Sequence, residues 1–173
     1  MQQTTIKIGF ITVSDRAFTG EYDDIGGPGM RDWIKKAILS PYTEENIIIP
    51  DGFDSVKDTI VDLADNKNCD LILTTGGTGP TAKDTTPEAT IAACERIYDG
   101  FAESMRRKSL ESVPTAILSR ATAGTRNRSL VINLPGKPEA IAVCLSAVFL
   151  AVPKALELIA DKNIQIDLDF VER

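Results

Sequence analysis

The stretch DLILTTGGTGPTAKDTTPEAT, residues 70–90, joins an apolar run to a polar turn that contains three glycines. The run Asp70–Thr75 is rich in leucine and isoleucine without strict alternation, which predicts a strand buried on both faces. Thr85 or Thr86 can cap a helix directly after the turn, with Pro87 in its first turn. A buried strand followed by a helix is the repeating unit of an α/β domain.

The same alternation continues along the chain. Further strands are predicted at Ile6–Val13, Asn46–Pro50 and Ser129–Leu134. Helical spacing of apolar residues predicts helices between the strands. Their expected landmarks are a first turn at Gly27–Pro28, an N-cap at Asp54 or Ser55, a short helix at Phe101–Met105, and a last helix that restarts at Pro153 and ends near Ala160.

The order of these elements predicts one domain, residues 1–173, with three α/β/α layers around a mostly parallel sheet. A hairpin is expected around Asn127, because asparagine tolerates the left-handed conformation of a tight turn. The tail, residues 161–173, contains IQIDLDF. It is open to three interpretations: an edge strand, a contact with another subunit, or a frayed end.

Composition excludes several functions. The 173 residues include no histidine and three separated cysteines, and the formal net charge is −6. The absence of histidine excludes Ser-His-Asp and Cys-His catalysis. It also makes a zinc site improbable, because the cysteines form no CxxC pair. Acidity disfavours binding to nucleic acid or anionic membranes. The N-terminus lacks a secretory pattern, and no segment is expected to reach the roughly 18 apolar residues of a membrane span, so we predict a cytoplasmic protein.

Polar loops follow all four predicted strands, and such loops meet at one edge of a parallel sheet, where ligands bind. In the loop after Asp70–Thr75, the glycines bring backbone N–H groups close to a ligand, and the following helix contributes its dipole. The spacing is neither a Walker nor a Rossmann motif. The turn therefore predicts a cradle for phosphate; the alternative is an ordinary tight turn between strand and helix. Its residues are Thr75, Gly76, Gly77, Thr78 and Gly79.

Asp51 and Asp84 each lie a few residues after a predicted strand. Two carboxylates beside a phosphate repel it unless a cation lies between them, and Mg²⁺ prefers carboxylate, phosphate and water oxygens. We therefore predict a Mg²⁺ site at Asp51 and Asp84. The alternatives are that Asp51 shapes its turn and that Asp84 caps the following helix.

Three other groups of residues are weaker candidates. In the first loop, Arg16 could neutralise a phosphate and Asp15 could accept from an N–H group, or the two could simply pair; Ser14 and Gly20 flank them. The turn Asn133–Lys137 could serve the ligand or only connect a strand to a helix. Lys83 is either a phosphate partner or solvated.

The segments SDRAFTGEYDDIGGP, IIPDG, TTGGTGPTAKDTTPEAT and PTAILSRATAGTRNRSLVINLPGKP occur together in this order. The chain resembles the MogA-type molybdopterin adenylyltransferases and the related gephyrin-like G domains over Ile6 to about Ala160. The resemblance implies a mixed sheet of about five strands, one of them antiparallel, and a homotrimer. It also implies AMP transfer from Mg-ATP to the terminal phosphate of molybdopterin, and a MoeA-type partner that inserts molybdate.

The resemblance also implies roles for individual residues. Asp51 and Asp84 correspond to the two essential aspartates, and Thr75–Gly79 to the loop that binds molybdopterin. Other positions that match the ligand cleft are Ser14, Asp15, Ser119, Asn133, Pro135, Gly136 and Lys137. Two other functions remain: a molybdopterin carrier without catalysis, which does not need both aspartates, and a nucleotide pyrophosphatase like the related competence-damage proteins, which carry a second domain.

Overall fold

The computed structural model describes residues 5–172. Its strands are β1 (Ile6–Val13), β2 (Tyr42–Ile49), β3 (Leu71–Thr75), β4 (Arg96–Ile97), β5 (Ala123–Arg126) and β6 (Ser129–Leu134). Its α-helices are α1 (Asp15–Phe18), α2 (Gly26–Ala37), α3 (Phe53–Val61), α4 (Thr86–Ala93), α5 (Asp99–Leu110), α6 (Pro138–Val148), α7 (Val152–Ala160) and α8 (Leu168–Val171). A π-helical turn, Asp62–Asn66, extends α3, and 3₁₀ turns lie at Pro114–Leu118 and Phe149–Ala151.

The strands form one mixed sheet in the order β2-β1-β3-β6-β5-β4. The first four in this order are parallel, and β5 runs antiparallel to both of its neighbours. The predicted three-layer fold with one reversed strand is confirmed, and the two-residue β4 is an addition to the strands expected. The hairpin between β5 and β6 turns at Asn127, whose φ of 49° is left-handed.

Two hydrophobic cores lie on opposite faces of the sheet, because successive strand residues point to opposite sides. On β1, Phe10 faces the core shared with α2, α5, α6 and α7, and Ile11 faces the core shared with α3 and α4. On β3, Leu73 faces the same core as Phe10, and Ile72 faces the same core as Ile11. Burial on both faces explains why these strands do not alternate apolar and polar residues.

Two local predictions need correction. The second strand begins at Tyr42 rather than Asn46, and much of it is exposed. It is an edge strand, so its polar half pairs with β1 through backbone bonds that side-chain hydrophobicity does not reveal. The N-cap of α3 is Gly52, not Asp54 or Ser55. The Ser55 hydroxyl instead donates to the carbonyls of Pro50 and Gly52, which tightens the turn before the helix.

The described part of the C-terminal tail packs against α2 of its own chain. The Asp167 N–H donates to the Ala37 carbonyl at 2.8 Å. The Phe170 ring lies 5.4 Å from that of Trp33, and Val171 is buried. The tail contributes one isolated bridge, between Ile166 and Ile38, and does not join the main sheet.

The run of helix from Pro138 to Ala160 has 23 residues and contains an 18-residue window with a mean hydropathy of 1.9, which is enough to cross a membrane by length and composition alone. The expectation that no segment reaches this length was therefore wrong. In the fold, however, Ile141, Leu145 and Leu156 on this run are fully buried in the core beside the sheet. We interpret its hydrophobicity as that of a core helix.

Candidate functional site

Four strands end at the same level of the sheet. Val13 pairs with Ile49, and Thr75 pairs with both Thr12 and Leu134. Backbone bonds join the loops just beyond, from the Ser14 N–H to the Ile49 carbonyl at 3.0 Å and from the Gly76 N–H to the Leu134 carbonyl at 3.3 Å. The four polar loops predicted to meet at one edge do so.

The turn after β3 requires glycine for two reasons. Gly76 has a φ of 96°, and a Cβ added there would lie 2.3 Å from the Val13 carbonyl oxygen. Gly77 has a φ of 65°, and its added Cβ would lie 2.3 Å from Thr86 Oγ1. No side chain fits either place, so the bare backbone passes directly between β1 and the start of α4.

The hydroxyls around this turn have different tasks. Thr75 Oγ1 donates to the Pro135 carbonyl at 2.7 Å, so it ties two loops together and is not a free donor toward a ligand. Within residues 5–172, the buried Oγ1 atoms of Thr85 and Thr86 have no hydrogen-bond partner. Unpaired buried hydroxyls cost about 1–3 kcal/mol each. A bound water or ligand oxygen at this helix N-terminus would relieve that cost.

Asp51 is held at the junction of the loops after β1 and β2. Its Oδ2 accepts from the Asp15 N–H, and its own N–H donates to Asp15 Oδ1, both at 3.0 Å. Lys83 Nζ lies 3.6 Å from the same Asp51 Oδ2. The side chain of Asp51 is 10% exposed and that of Lys83 is 64% exposed. Lys83 thus neighbours the carboxylate, but its own side chain is mostly in solvent and the contact is long, so the pair contributes little to stability.

Asp84 is fixed by the turn that precedes it. Its Oδ2 accepts from the Thr81 N–H at 2.9 Å and from the Thr81 hydroxyl at 2.5 Å. None of the described hydrogen bonds ends on Oδ1 of Asp84 or of Asp51. In each carboxylate, Oδ2 is therefore held by hydrogen bonds, and Oδ1 is available to a cation.

This donor set fits Mg²⁺, which binds few carboxylates and keeps waters or phosphate oxygens as its other ligands. No group of three or more His, Cys, Asp or Glu side chains among residues 5–172 could hold a metal ion. Asp51 and Asp84 would therefore need phosphate and water oxygens to complete the coordination. The site suits a cation that arrives with a nucleotide.

Arg120 holds the loop between β3 and α4, and our sequence reasoning missed it. Its Nε donates to the Gly79 carbonyl at 2.9 Å, and its Nη2 donates to the Asp84 carbonyl at 2.5 Å. Its Nη1 donates to Glu88 Oε1. These partners lie 32 to 41 residues away in sequence, so no local pattern around Arg120 could reveal them.

The charge state of Glu88 reflects this contact. Burial raises the pKa of the Glu88 carboxyl, but the hydrogen bond from Arg120, its own backbone N–H and the Arg120 charge outweigh that effect and lower it. Glu88 is therefore anionic at neutral pH and keeps the guanidinium beside the start of α4.

Asp24 is a second residue that sequence reasoning missed. Its Oδ2 accepts from the Thr12 hydroxyl at 2.8 Å, and its Oδ1 accepts from the Gly27 N–H at 2.9 Å. It therefore anchors the long first loop to β1 and to the start of α2. An aspartate three residues before a glycine-proline helix start was the signal that could have revealed it.

Asn133 lies in the core rather than at the cleft. Its amide nitrogen donates to the hydroxyls of Thr74 at 3.1 Å and Thr90 at 2.8 Å, and its oxygen accepts from the Thr122 N–H at 3.3 Å. Asn133 is fully buried. It connects β3, β6 and α4 beneath the loops, which is a different task from the ligand contact that the resemblance implies.

The first loop is the most exposed part of the predicted site. Ser14 caps α1 by accepting from the Ala17 N–H at 3.3 Å. The Arg16 guanidinium lies 5.0 Å from the centre of the Tyr22 ring and not in a described ion pair with Asp15. Gly20 ends the turn, with a φ of 77°. The Arg16 guanidinium is thus held near Tyr22 in an exposed position and not by Asp15.

A cleft of about 620 Å³ opens beside the glycine turn. Its polar wall contains the predicted site residues Thr78, Gly79, Ser119, Pro135, Gly136 and Lys137. Its other wall is apolar, with Val113, Leu118 and Val143. The size and the mixed lining are typical of a small-molecule site.

A larger opening, about 800 Å³, lies at the opposite edge of the sheet. The charged side chains in its lining already have partners within the protein. Lys7 pairs with Glu45, Asp65 pairs with Arg126, and the Asp70 carboxylate accepts from the Lys7 N–H. The smaller cleft, which begins at Thr78 and Gly79 of the glycine turn, is the better candidate. Asp51 and Asp84 are not part of its lining; they lie on the loops beside it.

Comparison with known proteins gives consistent matches. A family model described as a probable molybdopterin binding domain matches residues 9–155. A molybdopterin adenylyltransferase from Helicobacter pylori strain J99 is 45% identical over 163 residues, 94% of this chain and 93% of that protein. The molybdopterin adenylyltransferase of Escherichia coli K12 is 44% identical over 144 residues, 83% of this chain and 74% of that protein. The structure of the molybdopterin biosynthesis enzyme MoaB from Thermus thermophilus has a TM-score of 0.84 and 38% identity, and the match covers 92% of this chain and 99% of that one.

Proposed function

Because this chain belongs to the family of probable molybdopterin binding domains, we propose that it is a molybdopterin adenylyltransferase of molybdenum cofactor biosynthesis. It transfers AMP from ATP to the terminal phosphate of molybdopterin, and the products are adenylyl-molybdopterin and pyrophosphate.

One observation carries the assignment of this reaction to the loops at the carboxyl ends of the parallel strands. Asp51 is bonded to Asp15 and lies 3.6 Å from Lys83, the residue before Asp84. The loops of Asp51 and Asp84 are therefore neighbours at this edge of the sheet, beside the glycine turn. A carrier that only binds molybdopterin would have no use for both aspartates.

The chemistry needs no general base, which agrees with the absence of histidine from the chain. A phosphate monoester is already an anion near neutral pH. Its oxygen attacks the α-phosphorus of ATP, a new P–O bond forms there, and the bond from the α-phosphorus to the bridging oxygen breaks as pyrophosphate leaves. The protein contributes position and charge neutralisation.

The glycine turn, the cleft beside it and the two aspartates each have a proposed role in this reaction. The backbone at Gly77–Gly79 and the N-terminus of α4 hold the terminal phosphate of molybdopterin. The apolar wall at Val113 and Leu118 accepts its ring system. Asp51 and Asp84 would hold Mg²⁺ that arrives with ATP, and the ion would supply neutralisation of the charge on the phosphoryl group and on pyrophosphate.

We also propose a homotrimer, a cytoplasmic location and a MoeA-type partner that consumes the product. The family resemblance supports the trimer and the partner. The thiols of Cys69, Cys94 and Cys144, none of which forms a disulfide, support a reducing compartment. Light scattering on the purified protein measures the mass of the assembly.

The decisive experiment uses Asp51→Asn and Asp84→Asn. Each variant keeps a side-chain oxygen that can accept the hydrogen bond to Asp51 Oδ2 or Asp84 Oδ2, so the loops keep their shape. We expect pyrophosphate release from ATP to fall by at least about 100-fold, because charge neutralisation at the phosphoryl group is lost. Molybdopterin binding should stay within about threefold of wild type. Asp58→Asn, an exposed aspartate on α3, is the matched control.

The same assay separates the three functions. An adenylyltransferase releases pyrophosphate only when molybdopterin is present. A carrier releases none, and a nucleotide pyrophosphatase hydrolyses its substrate without molybdopterin. Either of the last two results refutes the proposed function, and near-normal turnover in both aspartate variants refutes the role given to these carboxylates.

A further inference from the structure

Arg120 joins both ends of the loop that separates the glycine turn from Asp84. Its guanidinium donates to the carbonyls of Gly79 and Asp84, and its backbone N–H donates to the Thr78 carbonyl at 2.9 Å. The phosphate cradle and the carboxylate residue are thus tied to the same side chain, which belongs to the segment before β5.

The planar guanidinium is suited to this position. Its fixed fork of donors can meet two carbonyls and a carboxylate at once, whereas a lysine ammonium is a flexible point charge. The Glu88 carboxylate, on the first turn of α4, accepts from the third nitrogen. Gly79, Asp84 and α4 therefore surround Arg120 on three sides, and the loop cannot shift without breaking one of these contacts.

We propose that Arg120 is a positioning residue for adenylyl transfer: it holds the loop from Gly79 to Asp84 in the shape in which the Asp84 carboxylate reaches its working position. The inference rests on the proposed function. Arg120 acts through the loop backbone, and its described hydrogen bonds are all made within the protein.

Two other roles would give different results. If Arg120 only stabilised the fold, its loss would lower the melting temperature and leave the turnover of folded protein unchanged. If Arg120 acted as a positive charge on a substrate phosphate, Arg120→Lys would retain much of the activity. A clamp that needs the fork geometry is not restored by lysine.

The chain offers a matched control at the opposite edge of the sheet. Arg126 pairs with the Asp65 carboxylate through Nε at 2.9 Å and Nη2 at 2.5 Å, and its Nη1 donates to the Ala93 carbonyl at 2.8 Å. Its guanidinium thus makes three hydrogen bonds, as that of Arg120 does, but two of them go to one carboxylate, and Arg126 does not contact the loop of Asp84. Arg126→Gln removes a comparable set of contacts without touching the loop.

The experiment compares wild type with Arg120→Gln, Arg120→Lys and Arg126→Gln in two measurements. Amide hydrogen exchange of the peptide that covers residues 78–86 needs no substrate and reports loop opening. Molybdopterin-dependent pyrophosphate release, per folded protein, gives kcat and the Mg²⁺ concentration for half-maximal rate. For both Arg120 variants we expect exchange at least about tenfold faster, and a kcat about 10- to 100-fold lower or a Mg²⁺ requirement raised by a similar factor.

Arg126→Gln should leave both measurements within about twofold of wild type. Three results would each overturn the proposal: a wild-type kcat together with a wild-type Mg²⁺ requirement in Arg120→Gln, unchanged loop exchange, or full activity of Arg120→Lys at the wild-type Mg²⁺ requirement. Hydrogen exchange is measured without substrate, so it tests whether Arg120 holds the loop even if the wild-type protein releases no pyrophosphate. The absence of pyrophosphate release from wild type would contradict the proposed function and not the role of Arg120 in the loop.

Discussion

Gly76→Ala should destabilise the protein more than an ordinary glycine substitution. The new methyl group would meet the Val13 carbonyl oxygen at 2.3 Å, and Val13 is held at the end of β1 by its pairing with Ile49. The oxygen therefore cannot move away without disturbing the strand. The φ of 96° at Gly76 adds a backbone penalty that does not depend on space.

The two effects can be estimated separately. A side chain in this backbone conformation costs about 1–3 kcal/mol. Forcing atoms apart in a well-packed region costs about 1–3 kcal/mol more. Alanine also restricts the unfolded chain, which offsets about 0.4–1 kcal/mol of the loss. We expect Gly76→Ala to lower the free energy of unfolding by about 3 kcal/mol.

Gly20→Ala separates the contributions, because Gly20 also has a positive φ, 77°, but its added Cβ meets no atom within 4 Å. It should lose only about 1 kcal/mol, the backbone penalty less the unfolded-state effect. Urea unfolding of both variants gives the comparison. If Gly76→Ala loses no more than about 0.5 kcal/mol beyond Gly20→Ala, close approach to Val13 is not what requires glycine there.

Two further predictions concern the core and the opposite edge. Asn133→Ala should lower the free energy of unfolding by about 3 kcal/mol, because it removes three buried hydrogen bonds, to Thr74, Thr90 and Thr122. The Thr90 hydroxyl keeps its bond to the Thr86 carbonyl. The exposed control Asn66→Ala should change the free energy of unfolding by less than about 0.5 kcal/mol in the same urea titration. Hydrogen bonding and charge from Arg126 lower the pKa of Asp65, against the opposing effect of burial. The stabilisation from this pair is present above the unfolded-state pKa of about 3.9 and is lost as pH falls through the lower folded-state pKa. The melting temperature of Asp65→Asn should therefore fall less steeply than that of wild type below about pH 4. An equally steep fall in the variant would contradict this role of Asp65.

Much of the fold could be predicted from sequence because its signals are local. The boundaries of β1 and β6 follow from runs that are rich in β-branched residues and leucine and are buried on both faces, and the hairpin at Asn127 follows from turn chemistry. The first half of β2 could not be predicted. It is polar and exposed, and only pairing with β1 makes it a strand.

The sequence by itself determined which chemistry is available and near which strand ends it lies: a glycine turn, Asp51, Asp84 and no histidine. It could do so because loops that follow parallel strands must meet at one edge of the sheet. Only the tertiary structure decided which side chains serve the cleft and which serve the core. It places Asn133 among buried threonines and brings Arg120 onto the loop of Asp84, since both positions depend on partners that lie distant along the chain.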